Sequence, residues 1–452
     1  GSTTTDPKGP VLTITPQSAT VTLSSRAAGS QAFTALLDGQ PAPAGVSWSL
    51  DSYNQGSISP AGVFTTSALR GGPVTVYATY GRQQVAATLN VVVDLSEDVK
   101  QDPNDPAIPA ANRTALDGPG GADATPSKVL YPYDATVFPL GLTAPLLQFS
   151  PGSTAPEDLK VTISGPFFTW RGYAHVADKT RPRLGLPQDI WDGATQSARG
   201  SSLTLTMQKA AAGKGYGPTQ IRVTVAAALL KGAVYYMTYD APENGLYSVK
   251  PGVREPAKLL IPGCVVCHSV SSNGRRLATG ADDAAYAAQS GVYNVGPDGS
   301  AAQLTGSPAG LGGDSRGLSH ATFTPDGAYV MRSQSNFWGG VNQLAFRIDD
   351  AKKQLVPAKV VGLGAAVSAL LPTISHDGKR YAFTNGPGAN MAFGTVGRSV
   401  SLMDLAIDPQ SDTLTFTNRR LLLDNGANGA VAKYLTFLPD PQLLVLQEEI
   451  GR

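Results

Sequence analysis

Charge, histidine and cysteine are all in short supply in this chain of 452 residues: 15% are Asp, Glu, Lys or Arg, four are His and two are Cys. Lys plus Arg (35) and Asp plus Glu (34) nearly cancel, and no block of five like charges occurs. Nothing therefore draws a polyanion or an anionic membrane surface, and nucleic acid is not expected as a partner. No run of 18 apolar residues is present. The longest candidates, residues 223–230 and 361–371, are interrupted by Thr, Gly or Ser and are too short to cross a bilayer. The sequence has no His-Glu-x-x-His helix, and four His leave few choices for a catalytic base. Gly118-Pro119-Gly120-Gly121 and Gly310-Leu311-Gly312-Gly313 do not sit between a strand and a helix, as a phosphate-binding loop must. The acidic pairs Asp282-Asp283 and Asp349-Asp350 read as solvated surface turns rather than calcium sites.

Glycine (50) and proline (34) are abundant instead, which favours turns and short strands and points to an all-β chain of several domains. Residues 1–9, opening Gly1-Ser2-Thr3-Thr4-Thr5-Asp6, read as a polar N-terminal tether. From residue 10 to 94, runs such as Val11-Leu12-Thr13-Ile14-Thr15 and Val74-Thr75-Val76-Tyr77-Ala78 alternate with a period of two between Gly, Pro and Asn turns. Through Val46-Ser47-Trp48-Ser49 and Ile58-Ser59-Pro60-Ala61-Gly62-Val63-Phe64, this stretch resembles the bacterial Ig-like (group 2) domains of surface proteins. That resemblance implies a β-sandwich acting as a spacer or adhesive module, with no catalytic residues. The tether resembles the segment after the lipid-bearing Cys of bacterial lipoproteins, which leaves a lipid-anchored surface attachment open; a Gly-Ser cloning scar looks the same.

Residues 95–127 hold too few apolar groups to bury and are expected to form a linker. Residues 128–257 read as a second β-sandwich-like domain, with strands at 159–164, 202–207, 219–225 and 234–239 and an irregular insertion at 178–201. From 258 to 452 a repeat sets the pattern. Ser271-Ser272-Asn273-Gly274, Thr324-Pro325-Asp326-Gly327 and Ser375-His376-Asp377-Gly378 superimpose on their Asn/Asp-Gly pairs, and Tyr434-Leu435-Thr436-Phe437-Leu438-Pro439-Asp440 is a weaker fourth copy. Each pair supplies the positive-φ positions of a tight hairpin between alternating strands. Spacings of about 50 to 60 residues suit one four-stranded blade apiece. The region resembles the β-propeller repeats of TolB-type and WD-like proteins, best at Thr324-Pro325-Asp326-Gly327. About four blades are visible, so the expected ring is small or is completed by the second region or by a further C-terminal segment.

Both cysteines fall within Cys264-Val265-Val266-Cys267-His268, just ahead of the first repeat. Two thiols separated by two residues can add to the two vinyl groups of haem, and the next residue, a His, can ligate the iron. The expectation is one covalent haem c per chain, on Cys264 and Cys267, with His268 as proximal ligand. A Cys264–Cys267 disulfide is the plain alternative; zinc lacks a fourth ligand, because there is no second Cys pair. The resemblance to c-type cytochromes is confined to this pentapeptide, for no helical block that would wrap a haem is present. Aligned on the turns, His320 falls one position before the equivalent of His268 and is the first candidate for the distal ligand. Met391 is the second. Met331 is expected in a blade core, His376 in a solvated turn, and His175 in the second sandwich.

These readings lead to a bacterial, extracytoplasmic mono-haem electron-transfer protein, in the periplasm, on the outer cell surface or secreted, served by a redox protein or a small-molecule electron donor or acceptor. A haem-dependent oxidoreductase of peroxidase type and a surface binding or adhesion protein with a structural haem are the alternatives. A homo-oligomer is left open.

Overall fold

The computed structural model describes residues 10–449 except 68, 240–243, 254, 264, 282–289, 307–317, 319, 334–342, 364–368 and 386–396. Apart from the helices Ala110–Asp117 and Gln188–Ser197, the regular elements among these residues are β-strands, so the chain is all-β. It divides into two compact units, Gly1–Lys231 with Pro251–Arg254, and Gly232–Lys250 with Glu255–Arg452.

The first unit is organised by one long strand, Gln83–Asp98. Its first part pairs antiparallel with Gly72–Tyr80 and parallel with Ser18–Leu23. Its last six residues pair parallel with the strand Phe168–His175, Val93 opposite Phe168 and Asp98 opposite Tyr173. A nine-stranded sheet thus runs through both expected sandwich regions, and one apolar cluster extends from Leu12 to Val225. The strand crosses the expected boundary at 95, Leu95 is buried, and the expected linker 95–127 contains the first helix with Leu116 buried. Polar anchoring is the reason. Asn112 donates to Asp158 Oδ2 at 2.7 Å, the Arg113 guanidinium lies 3.4 Å from the centre of the Tyr173 ring, and Lys160 Nζ is 2.9 Å from Asp117. Too few apolar residues for a core are still enough for a segment laid onto a sheet by charged and amide groups. The insertion at 178–201 likewise holds the strand Arg183–Gly185 and the second helix, which buries Ile190 and Trp191.

The second unit is a series of five sheets in chain order. The first has strands Val234–Thr238, Gly245–Val249 and Lys258–Pro262. The second is Val265–Val270, Arg276–Ala281, Gly291–Val295 and Ala301–Gly306. The third is Thr322–Phe323, Tyr329–Ser333, Gln343–Asp349 and Gln354–Val361, and the fourth Leu370–Ile374, Arg380–Asn385, Ser399–Asp408 and Thr413–Asp424. Val431–Phe437 and Leu444–Glu449 form the fifth. Residues 234–238, read from the sequence as part of the second sandwich, belong to this series. Their sheet contributes Leu246 and Ile261 to a core shared with Leu277 and Tyr293 of the second sheet.

Alternation along the strands explains the stacking. Leu277 packs toward the first sheet and its neighbour Ala278 toward the third. Val330 faces the second sheet, while Tyr329 and the fully buried Met331 face the fourth. Tyr381 and Phe383 pack toward the third, and Ala382 toward the fifth. The first strands of the second to fifth sheets touch in succession, and the last strands of the third and fourth pair parallel at Lys359–Val361 with Thr413–Thr415.

The repeated turns have one chemistry. The Ser271, Thr324 and Ser375 hydroxyls donate to Asn273, Asp326 and Asp377 at 2.5–2.7 Å and accept the N–H of Arg276, Tyr329 and Arg380 at 3.0 Å. The side-chain oxygens of Asn273, Asp326, Asp377 and Asp440 each accept the N–H two residues on. Gly274, Gly327 and Gly378 then take φ near +70°, where a side chain is disfavoured. In the fourth copy Leu438 replaces the hydroxyl, which is why that copy looks weak in sequence.

Candidate functional site

The motif strand Val265–Val270 is the first strand of the second sheet and pairs antiparallel with Arg276–Ala281. Cys264 lies outside the described residues, and Cys267 sits on the strand opposite Gly280. His268 is half-buried opposite Thr279. Burial pulls its imidazole below the ordinary histidine range, partly offset by a ring hydrogen bond to the Tyr235 backbone carbonyl. Tyr235 comes from the first sheet, and sequence reasoning missed it because its strand read as part of another domain.

The strand is not regular at the motif. Its register against the neighbouring strand shifts between Val265 and Cys267, so the alternation breaks there. The same break recurs in the first strands of the fourth and fifth sheets, between Leu370 and Thr373 and between Lys433 and Thr436. Counted back six residues from each turn Asn/Asp, the equivalent positions are Cys267, His320, Leu371 and Tyr434. The last three take φ of 53°, 45° and 51°. Left-handed backbone at a side-chain-bearing residue costs about 1–2 kcal/mol, so the bend is imposed by the packing of each first strand.

His320 therefore stands at the bend of the third sheet, and burial brings its pKa down to about 4, which leaves the ring neutral at physiological pH. Ser269 Oγ donates to the carbonyl of Ala321. His320-Ala321, immediately before the first strand of the third sheet, thus meets the motif strand at Ser269. Met391 lies outside the described residues. His376 is exposed in its turn, and His175 lies in the first unit, where its Nδ1 is 3.2 Å from Asp158. Of the two acidic pairs, Asp282-Asp283 lies outside the described residues. Asp350 is bound by Arg276 at 2.5 Å and Asp349 is 3.7 Å from Arg347, so both carboxylates at the second pair serve arginines.

No helix among the described residues is long and apolar enough to cross a membrane. No family model and no curated protein matches the chain. Among solved structures, a candidate 6-phosphogluconolactonase from Bacteroides fragilis is 14% identical over 65% of this chain and 88% of its own, with a TM-score of 0.29. A tandem pair of titin Ig domains is 13% identical over 48% of this chain and 97% of its own, at a TM-score of 0.17. Two domains of the S-layer protein SbsC are 12% identical over 48% of this chain and 100% of theirs, at 0.15. At these scores the likenesses add nothing to the all-β class, which the strands themselves establish.

Proposed function

We propose that the chain is an extracytoplasmic electron-transfer protein carrying one haem c, joined by thioether bonds to Cys264 and Cys267, with His268 as the proximal iron ligand. The observation that carries this reading is the setting of His268. It follows the chain's two cysteines directly, and its ring donates to a backbone carbonyl, at Tyr235. A carbonyl in that role fixes the tautomer of a metal-bound imidazole and leaves the other ring nitrogen for the metal. Attachment needs no oxidant: each thiol adds across a vinyl group, its sulfur to one carbon and its hydrogen to the other. Once bound, haem supplies a one-electron couple.

His320 is the first candidate for the distal position, being neutral and next to the motif strand; Met391 is the second. The five serial sheets with touching first strands support a β-propeller as the haem-bearing frame, and the strands of residues 10–94 support an Ig-like sandwich ahead of it. A covalent haem c supports work outside the cytoplasm, in the periplasm, on the outer surface or in the medium, with a redox protein or small molecule as partner.

The deciding measurement is the denatured mass of the full chain made in a periplasm with haem-attachment machinery. An addition of about 616 Da, lost in Cys267→Ser, is expected; an unadorned mass short of two hydrogens would make the cysteines a disulfide and end the proposal.

A further inference from the structure

In the first unit, two guanidinium groups share a pocket of about 340 Å3 with an imidazole that is held from behind. His175 ends the strand Phe168–His175, and its Nδ1 faces Asp158 Oδ1 at 3.2 Å. Asp158 is 1% exposed. Its other oxygen accepts from Asn112 Nδ2 at 2.7 Å, and Asn112, itself buried, accepts the Gly213 N–H at 2.7 Å. A buried carboxylate so fixed keeps a proton on Nδ1 and leaves Nε2 for the pocket that His175 lines. Arg181 and Arg183 flank the buried Pro182, so alternation sets both on the exposed face. Among the described residues neither guanidinium has a hydrogen bond or an ion pair. Asp178 also lines the pocket, but its Oδ1 is taken by the Thr180 N–H and hydroxyl and by the Arg181 N–H, which turns it into its own loop. The Gln101 amide is spent on both backbone groups of Gly185.

We infer that this pocket binds a phosphoryl group, free or borne by a small molecule. Arg181 and Arg183 supply planar forked donors to its oxygens, and His175 Nε2, with the ring proton held on Nδ1 by Asp158, accepts a third hydrogen bond from a P–OH of the group. The site is independent of the haem reading and lies wholly within the first unit.

Calorimetric titration of the full chain with inorganic phosphate, and separately with glucose 6-phosphate, tests it. Saturable binding is expected, weakened about tenfold or more by Arg181→Ala with Arg183→Ala, and about tenfold by His175→Gln. Both arginines are exposed, so the double variant should unfold thermally as the parent does. Phosphate binding as tightly as the sugar phosphate points to the free ion, and tighter binding of the sugar phosphate to a small-molecule ester. Absence of saturable binding to either, or a double variant that binds as the parent does, would overturn the assignment.

Discussion

The two units pack alternating strands by opposite means. In the second, neighbours in sequence are neighbours in space: each sheet is made of consecutive strands, and each core joins one sheet to the next. In the first, the sheet is closed by joins between distant segments, residues 93–98 with 168–173 and 18–23 with 88–93. Such a sheet concentrates its order in a few long-range ties. Lys209 with Asp123 is the clearest of them, their side chains 3% and 4% exposed and all three Lys209 hydrogen bonds used, on Asp123, Pro151 O and Thr154 O at 2.5–2.7 Å. The lesson is about failure: a tie that closes a long loop has no neighbour to replace it, whereas a repeated turn has copies but no substitute within its own sheet.

The sharpest way to break the comparison is Lys209→Met, which leaves the Asp123 carboxylate buried without its cation. A loss of about 3–5 kcal/mol in denaturant unfolding is expected, and Asp123→Leu added to it should recover much of that loss. Acid probes the same tie. Burial alone would raise the Asp123 carboxyl, but hydrogen bonds from Lys209, Ser153 and Thr154 outweigh it and hold the group well below the usual carboxylate range. A depressed folded pKa stabilises above the unfolded value of about 3.9, so this contribution should be intact at neutral pH and be lost as pH falls below about 4. Unfolding free energies measured from pH 7 to pH 3 would reveal it, and the Lys209→Met variant should lack that component.

In the second unit, Thr324→Val removes a hydroxyl that is 1% exposed and makes both turn hydrogen bonds. The expected cost is about 1–3 kcal/mol, and Ser271→Ala and Ser375→Ala should cost alike. Three widely different losses by equilibrium unfolding would mean that the turns are not equivalent. The smallest effect is expected for Arg420→Ala, whose ion pair with Asp404 at 2.8 Å is exposed on both sides; a change of at most about 1 kcal/mol should follow.

What could be read in the sequence divides along the same line. The turns at Asn273, Asp326 and Asp377 are local chemistry with a fixed residue order, so they are visible one window at a time, and Met331 and His376 follow from their places around them. The strands of the first unit are also visible by their alternation. Its continuity is not, because parallel partners of the 83–98 strand carry no mark of each other. The helix at 110–117 was hidden by its means of attachment: Asn112, Arg113 and Asp117 look solvated in sequence and are bonded to the sheet in the structure. At the motif, the pairing of residue types was legible at Cys264, Cys267 and His268. The Tyr235 carbonyl was not, since a backbone group leaves no trace in composition, and the register shift before Cys267 emerges only when the first strands are compared in space.

The left-handed bend separates backbone from side chain. His320, Leu371 and Tyr434 hold the same left-handed backbone with three unrelated side chains, so the conformation belongs to the frame and not to the residue that fills it. A position of that kind can exchange an imidazole for a leucine or a tyrosine without redesign of the fold.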